Sequence, residues 1–243
     1  MDKNQKILLM IIGILVIVSA VIGFLAFKNQ RDNNQTSTNK FKEEYESLNG
    51  VVNDNGYTYP TVEIDIDNPI VYATEEEIVE ILEDGTGLIY FGFPTCPWCR
   101  NMVPSLLSAA SSKGLDKIYY LNVLNIRDSL SVSDTGEIIT EKEGTESYYK
   151  ILEELDEILD EYYVKDATED KIATGEKRLY VPTVVAVVDG KVVDYHMNTV
   201  ESHMALKNGY IEMTKEQREE LFEIYVSMIN KITNSSCDEK DKC

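Results

Sequence analysis

The stretch Leu88-Ile89-Tyr90-Phe91-Gly92-Phe93-Pro94-Thr95-Cys96-Pro97-Trp98-Cys99 decides how this chain is read. Leu88 to Phe93 is a continuous apolar run, the pattern of a central strand buried on both faces. Pro94 to Cys99 then forms the turn into a helix that runs to about Ser111, with Pro104 inside it as a source of a kink. Cys96 and Cys99 are spaced so that their thiols can close a small disulfide ring. At a helix start the first thiol also meets helix partial charges that favour its thiolate. A buried strand that delivers Cys-x-x-Cys to a helix N-terminus is the layout of a redox device.

Outward from this stretch, elements alternate as in an α/β domain. Upstream, Thr74 and Glu77 have capping-box spacing, and Ile78, Ile81 and Leu82 share a helical face; Gly85 to Gly87 breaks that helix. Downstream, Lys117 to Leu124 predicts a strand. Asp128 to Gly144 reads as polar loops with a small hairpin at Glu137 to Glu141. Tyr149, Leu152, Leu155, Ile158, Leu159 and Tyr162 recur at helical spacing and predict an amphipathic helix over Glu146 to Tyr163. Asp166 to Lys177 reads as a polar loop. Thr183 to Val188 is a strand, and Asp189-Gly190 is a two-residue hairpin turn returning through Lys191 to Met197. Leu221, Ile224, Tyr225, Met228 and Ile232 line a last helix from about Thr214 to Ile232.

Val181-Pro182-Thr183 opens the late strand, and here the chain resembles the thioredoxin-like superfamily over roughly Tyr57 to Thr233. The shared order is strand, Cys-x-x-Cys on a helix N-terminus, strand, helix, then x-Pro-Thr leading into a hairpin and a final helix. The resemblance implies a central mixed sheet flanked by helices, with Pro182 in the cis form beside the dithiol and Val181 facing the substrate. Pro104 falls where the family's helix kink recurs. Cys96 is then the nucleophile, Cys99 the resolving thiol, Pro97 a restraint within the motif, and Trp98 a shield or an apolar surface for a client. No cofactor is implied, since the dithiol itself carries the electrons.

There are departures from the family pattern. Thioredoxins carry a buried acid six residues before the first cysteine; this chain has Tyr90. They carry Trp before that cysteine; here Thr95 stands there, and Trp98 is the only tryptophan. The interval from Cys99 to Pro182 is long and implies an insertion of about 128–177 built around a helix. Pro at the second motif position and Val before Pro182 resemble the periplasmic oxidant DsbA more than thioredoxin, a lean towards oxidase or isomerase. An oxidant needs a stabilised Cys96 thiolate, and the one adjacent cation is Arg100. The Phe-Gly-x-x-x-Cys-Pro-x-Cys layout with a membrane anchor is also similar to thioredoxin-like accessory proteins of bacteriocin transport in Gram-positive bacteria.

The anchor is read from Ile7 to Phe27, which carries no charge over 21 residues, enough to cross a hydrocarbon core of roughly 30 Å. It exceeds the roughly 7–15 residues of a secretory signal, which favours an uncleaved signal-anchor over a cleaved leader. The basic residues flanking it are nearly balanced, and the long acidic domain that follows favours an extracytoplasmic soluble part. The expected organisation is an anchor over 1–31, a flexible linker over 32–56, the thioredoxin-like domain over 57–233 and a cysteine-containing tail over 234–243.

The net charge of −20 repels phosphates and sets nucleic-acid binding aside. Four cysteines are too few for a disulfide scaffold in a chain of this length. Cys237 and Cys243 bracket the tail and could close a secondary disulfide or act as a shuttle pair. Their spacing is not that of a zinc site, and no metal is expected. His196 and His203 read as surface or internally satisfied positions. Two functions fit: thiol–disulfide exchange on secreted or cell-surface proteins, served by a membrane electron partner, or a non-catalytic peptide-binding accessory of a secretion or bacteriocin export system.

Overall fold

A computed structural model describes residues 18, 37–166, 168 and 170–238, the side chains of 235–238 excepted. Its centre is a five-stranded mixed sheet built from β1 (Ile70–Tyr72), β2 (Gly87–Gly92), β3 (Ile118–Asn122), β8 (Thr183–Val188) and β9 (Lys191–Met197). Across the sheet the strands follow the order β1-β3-β2-β8-β9. Strands β1, β3 and β2 run parallel, and β8 lies antiparallel to both β2 and β9. β2 is therefore interior, with Tyr90 between Tyr120 on β3 and Val184 on β8. Leu88, Ile89, Tyr90 and Phe91 are wholly enclosed, as the unbroken apolar run predicts. The fold is mixed α/β, a central mixed sheet flanked by helices, and is compatible with the thioredoxin-like fold that the sequence resembles.

Each sheet face has its own core. One packs Leu88, Tyr90, Tyr120 and Val184 against α3 (Pro97–Lys113) and α6 (Lys215–Asp238), through Val103, Leu106, Leu221 and Tyr225. The other packs Ile89, Phe91 and Val185 against α2 (Glu75–Asp84) and α4 (Glu146–Glu154), through Ile78, Leu82, Tyr148 and Ile151. A one-turn helix, α5 (Glu201–Met204), follows β9 and carries His203. At about 1.5–3 kcal/mol for each large apolar side chain removed from water, the two packed faces dominate what holds the sheet. The capping box on α2 is formed: the Thr74 hydroxyl accepts from Glu77 N at 3.2 Å, and the Glu77 carboxylate accepts from Thr74 N at 2.8 Å. The β8–β9 turn places Asp189 and Gly190 at φ 48° and 69°, the left-handed geometry that Asp-Gly tolerates.

Several expectations fail. Residues 37–46 form a helix, α1, rather than a linker. Phe41 and Tyr45 on it are completely buried, and Phe41 meets Tyr120 edge-on with ring centroids 4.9 Å apart. The domain thus begins near residue 37, not 57, because two aromatic side chains one helical turn apart suffice to dock a short helix. The helix expected over Glu146 to Tyr163 stops at Glu154. After a single 3-10 turn, Asp156–Ile158, the chain becomes strand β6 (Asp160–Lys165). There Tyr162 and Val164 are buried while Tyr163 is exposed. The period has switched from helical to alternating, and β-prone Tyr-Tyr-Val overrides the helical spacing of Leu159 and Tyr162. The expected polar loop is largely strand β7 (Lys171–Arg178), paired with β6. The small hairpin is present, but it begins earlier, as β4 (Ser129–Val132) against β5 (Ile138–Lys142). The insertion is therefore two hairpins and a short helix rather than a helix with loops. Helix α6 continues to Asp238, past the expected end at Ile232.

The proposed anchor over 1–31 lies outside the described residues, apart from Val18. Among the described residues no helix is long and apolar enough to cross a membrane. Cys243 also lies outside them, and Cys237 stands in the last turn of α6 without a described side chain.

Candidate redox site

Strand β2 ends at Gly92, and the chain turns through Phe93 to Thr95 into α3. Cys96 is the N-cap of α3 in extended conformation, and Pro97 occupies the first turn, where its missing N–H costs nothing. The Cys96 sulfur takes the place of a capping oxygen, accepting from Cys99 N at 3.2 Å. Sulfur at this point faces the positive end of the helix, where backbone N–H groups point outward. Cys96 retains 6% exposure and Cys99 none; both are free thiols. Burial pushes the Cys99 pKa well above the ordinary thiol range, and contact with Cys96 pushes it further. The Phe93 backbone and the Tyr90 hydroxyl act the other way. The motif thus holds one slightly exposed cysteine at the helix start and one fully enclosed cysteine whose proton is held tightly.

The sequence-expected partners converge on this sulfur. The Val181–Pro182 peptide bond is cis, and the Val181 carbonyl lies 3.8 Å from the Cys96 sulfur. Asn198 N donates to the Pro182 carbonyl at 2.7 Å and the Thr183 hydroxyl donates to the Tyr180 carbonyl at 2.6 Å, so the segment is fixed from both sides. Trp98 is half-buried. Its ring meets His203 edge-on at 5.1 Å and lies so close over Gly209 that a Cβ there would stand 2.8 Å from the indole. His203 is completely buried and satisfied at both ring nitrogens, with the Thr199 hydroxyl and the Ile211 carbonyl each at 2.8 Å. A carbonyl only accepts, so Nε2 donates to Ile211. His196 also lies inward, and burial lowers its pKa.

The comparisons with known proteins come back empty. No protein-family model matches the chain, and neither does any curated protein or solved structure.

Other site residues were not singled out from the sequence. Asn101 ties α3 to the loop beneath Trp98: its side-chain amide donates to the Gly209 carbonyl at 2.8 Å, and its oxygen accepts from Met213 N at 3.0 Å. No spacing rule marks such a residue, because its partners are more than a hundred positions away. Tyr90, in place of an acid, hydrogen-bonds the Tyr45 hydroxyl at 2.7 Å in the interior. Burial raises the pKa of both phenols well above the ordinary value, so neither is a base; Tyr90 offers the Cys99 sulfur a donor.

Arg100 does not serve the thiols. It is completely buried and reaches the other way, donating to the carbonyls of Pro60 at 2.8 Å and Tyr45 at 2.7 Å and to Asn49 Oδ1 at 2.7 Å. Its role is to clamp α1 and the 49–60 segment onto the redox helix. Another cation, Arg127 from the connection between β3 and β4, lies 4.9 Å over the ring of Phe93, whose carbonyl accepts the Cys96 N–H. Among the described residues no three His, Cys, Asp or Glu side chains converge as metal ligands would.

Proposed function

We propose that this chain is a membrane-anchored, thioredoxin-like thiol–disulfide oxidoreductase. The observation that carries the reading is the Cys96 sulfur at the N-cap of α3, accepting the Cys99 N–H and facing the Val181 carbonyl. In the reductive direction the Cys96 thiolate attacks a client disulfide. A Cys96–client disulfide forms and one client thiolate leaves. Cys99 then gives up its proton and attacks the Cys96 sulfur. The Cys96–Cys99 disulfide forms, and the second client sulfur departs and takes up a proton. The net change is two thiols oxidised here and one client disulfide reduced; run backwards, the same steps oxidise a client dithiol.

The Val181 backbone beside Pro182 is the edge along which an extended client segment pairs, and Trp98 gives it an apolar wall. The clients are secreted or cell-surface proteins, outside the membrane where disulfides persist, with a membrane protein as electron partner. A system exporting a peptide or bacteriocin is a setting consistent with this layout. The competing reading, a peptide-holding accessory without turnover, has no use for a buried second thiol such as Cys99.

The test is insulin reduction and refolding of reduced ribonuclease by the full-length chain, with Cys96→Ser as control. Turnover in either assay, abolished by Cys96→Ser, is expected. Peptide binding that survives Cys96→Ser without turnover in either direction would establish the holding function instead. The measured reduction potential sets the direction: a value near that of thioredoxin, about −270 mV, would exclude the oxidase lean.

A further inference from the structure

Arg127 is anomalous in so acidic a chain. With 43 acidic against 23 basic side chains, an arginine ordinarily finds a carboxylate. Among the described residues Arg127 forms no ion pair, although it is only partly exposed. The nearby carboxylate, Asp128, is held by Arg178 at 3.0 Å in a nearly buried pair. Arg178 therefore faces Arg127 as a like charge, and after burial it is the next cause that lowers the Arg127 pKa. What seats Arg127 is the ring of Phe93, 4.9 Å below its guanidinium. The carbonyl of that same Phe93 accepts the Cys96 N–H at 3.1 Å. The cation is thus fixed to the residue that fixes Cys96.

A half-buried, unpaired guanidinium next to another guanidinium marks a place short of one negative charge. The proton-bearing groups facing Arg127 are Tyr148, Cys96 and Tyr162. Phenols ordinarily ionise near pH ~10 and thiols near ~8.5. Burial pushes Tyr148 up to about 12, and its hydroxyl has no hydrogen-bond partner among the described residues. The ring of Tyr162 is covered by Arg178, 4.1 Å above it. Cys96 is the only thiol of the three. The other ionisable groups that sense Cys96 are Cys99, Tyr45, Tyr120 and Tyr210. None of these is a cation.

We propose that Arg127, supplied by the connection into the inserted hairpins, is the positioning residue that holds the Cys96 sulfur as a thiolate. The inference rests on the redox reading above for its purpose, but its test needs no turnover. The rate of Cys96 alkylation in the reduced full-length chain is followed against pH, with the modified peptide identified by mass spectrometry. Arg127→Gln is expected to slow the reaction about five- to ten-fold at neutral pH, where the rate tracks the thiolate fraction. The alkaline plateau should be unchanged. Arg127→Met, which keeps the packing on Phe93, should behave alike, and Arg127→Lys should recover most of the rate. Superimposable profiles for wild type and either neutral variant would overturn the assignment. A displaced profile in a chain that never exchanges disulfides would instead retain Arg127 as the thiolate's partner and remove the oxidoreductase reading.

Discussion

Strands β2 and β7 are built differently. β2 lies between β3 and β8, with Leu88 to Phe91 enclosed by a packed core on each side. β7 pairs only with β6, and of its residues Arg178 alone is buried. The first strand is held by apolar area on two faces. The second is held by backbone pairing and by ion pairs, Arg178 with Asp128 and Lys177 with Asp156. Stability thus resides in the sheet that carries the redox turn, while the inserted hairpins are an appendage joined to it at a few polar points.

The widest gap should come from truncating each region. Leu88→Ala is expected to cost about 3–4 kcal/mol in denaturant unfolding. Ile139→Ala in β5, where the side chain is exposed, should stay within about 0.5 kcal/mol. Equal losses at the two sites would erase the distinction.

Next in size is the joint between the regions. Asp128→Ala leaves the Arg178 guanidinium without its partner and should cost about 3 kcal/mol. The loss should be local, read as faster amide exchange across the hairpins, 129–142 and 160–178, with β2 still protected. Uniform loss of protection would mean that the insertion and the sheet unfold together.

Gly209→Ala, which drives a methyl group into the Trp98 indole, is expected to cost about 1–3 kcal/mol and to shift tryptophan emission. An unchanged spectrum would show that the indole has room to move.

The smallest effect is a pH dependence confined to the redox turn. The folded chain holds the Cys99 proton more tightly than the unfolded chain does. Stability of the reduced protein is therefore full below the unfolded thiol's pKa of about 8.5. It then falls as pH rises towards the folded value, at no more than about 1.4 kcal/mol per pH unit. The disulfide form lacks this loss, so unfolding midpoints of the two forms should diverge above that pH. Tyr90→Phe should carry the divergence to higher pH by removing the donor that opposes the upward shift. Parallel curves would remove Cys99 as its source.

The same contrast governs what was legible in the sequence. β2, β8 and the α3 start carry unbroken apolar runs and a Cys-Pro pair at a helix start, short-range signals that mark Cys96 and Cys99, whereas Val181 and Pro182 are marked only by the resemblance to the thioredoxin-like superfamily. The insertion was misread because its helical spacing and its strand alternation overlap at Leu159 and Tyr162, and nothing local decides between them. Helix α1 was missed because its reason to form is Tyr90 and Tyr120, which lie far along the chain on β2 and β3. Arg127 and Asn101 were invisible for the same cause: a cation near a thiol and an amide beneath an indole are created by topology alone. Arg100, adjacent to Cys99, drew attention by sequence distance and turned out to point at Pro60 and Tyr45.

The docked helix α1 also sets how far the redox turn can travel. With a membrane anchor ending at Phe27, as proposed, a domain starting at Tyr57 would hang on thirty residues, Lys28 to Tyr57, a leash of at most about 100 Å. Because Ser37 already belongs to the folded body, only ten residues, Lys28 to Ser37, remain, a leash of at most about 35 Å. Under that proposal the dithiol would work in a shallow layer against the bilayer. Chains that have just emerged from the membrane, or that remain fastened to it, would then be within its range, and those that have diffused away would not.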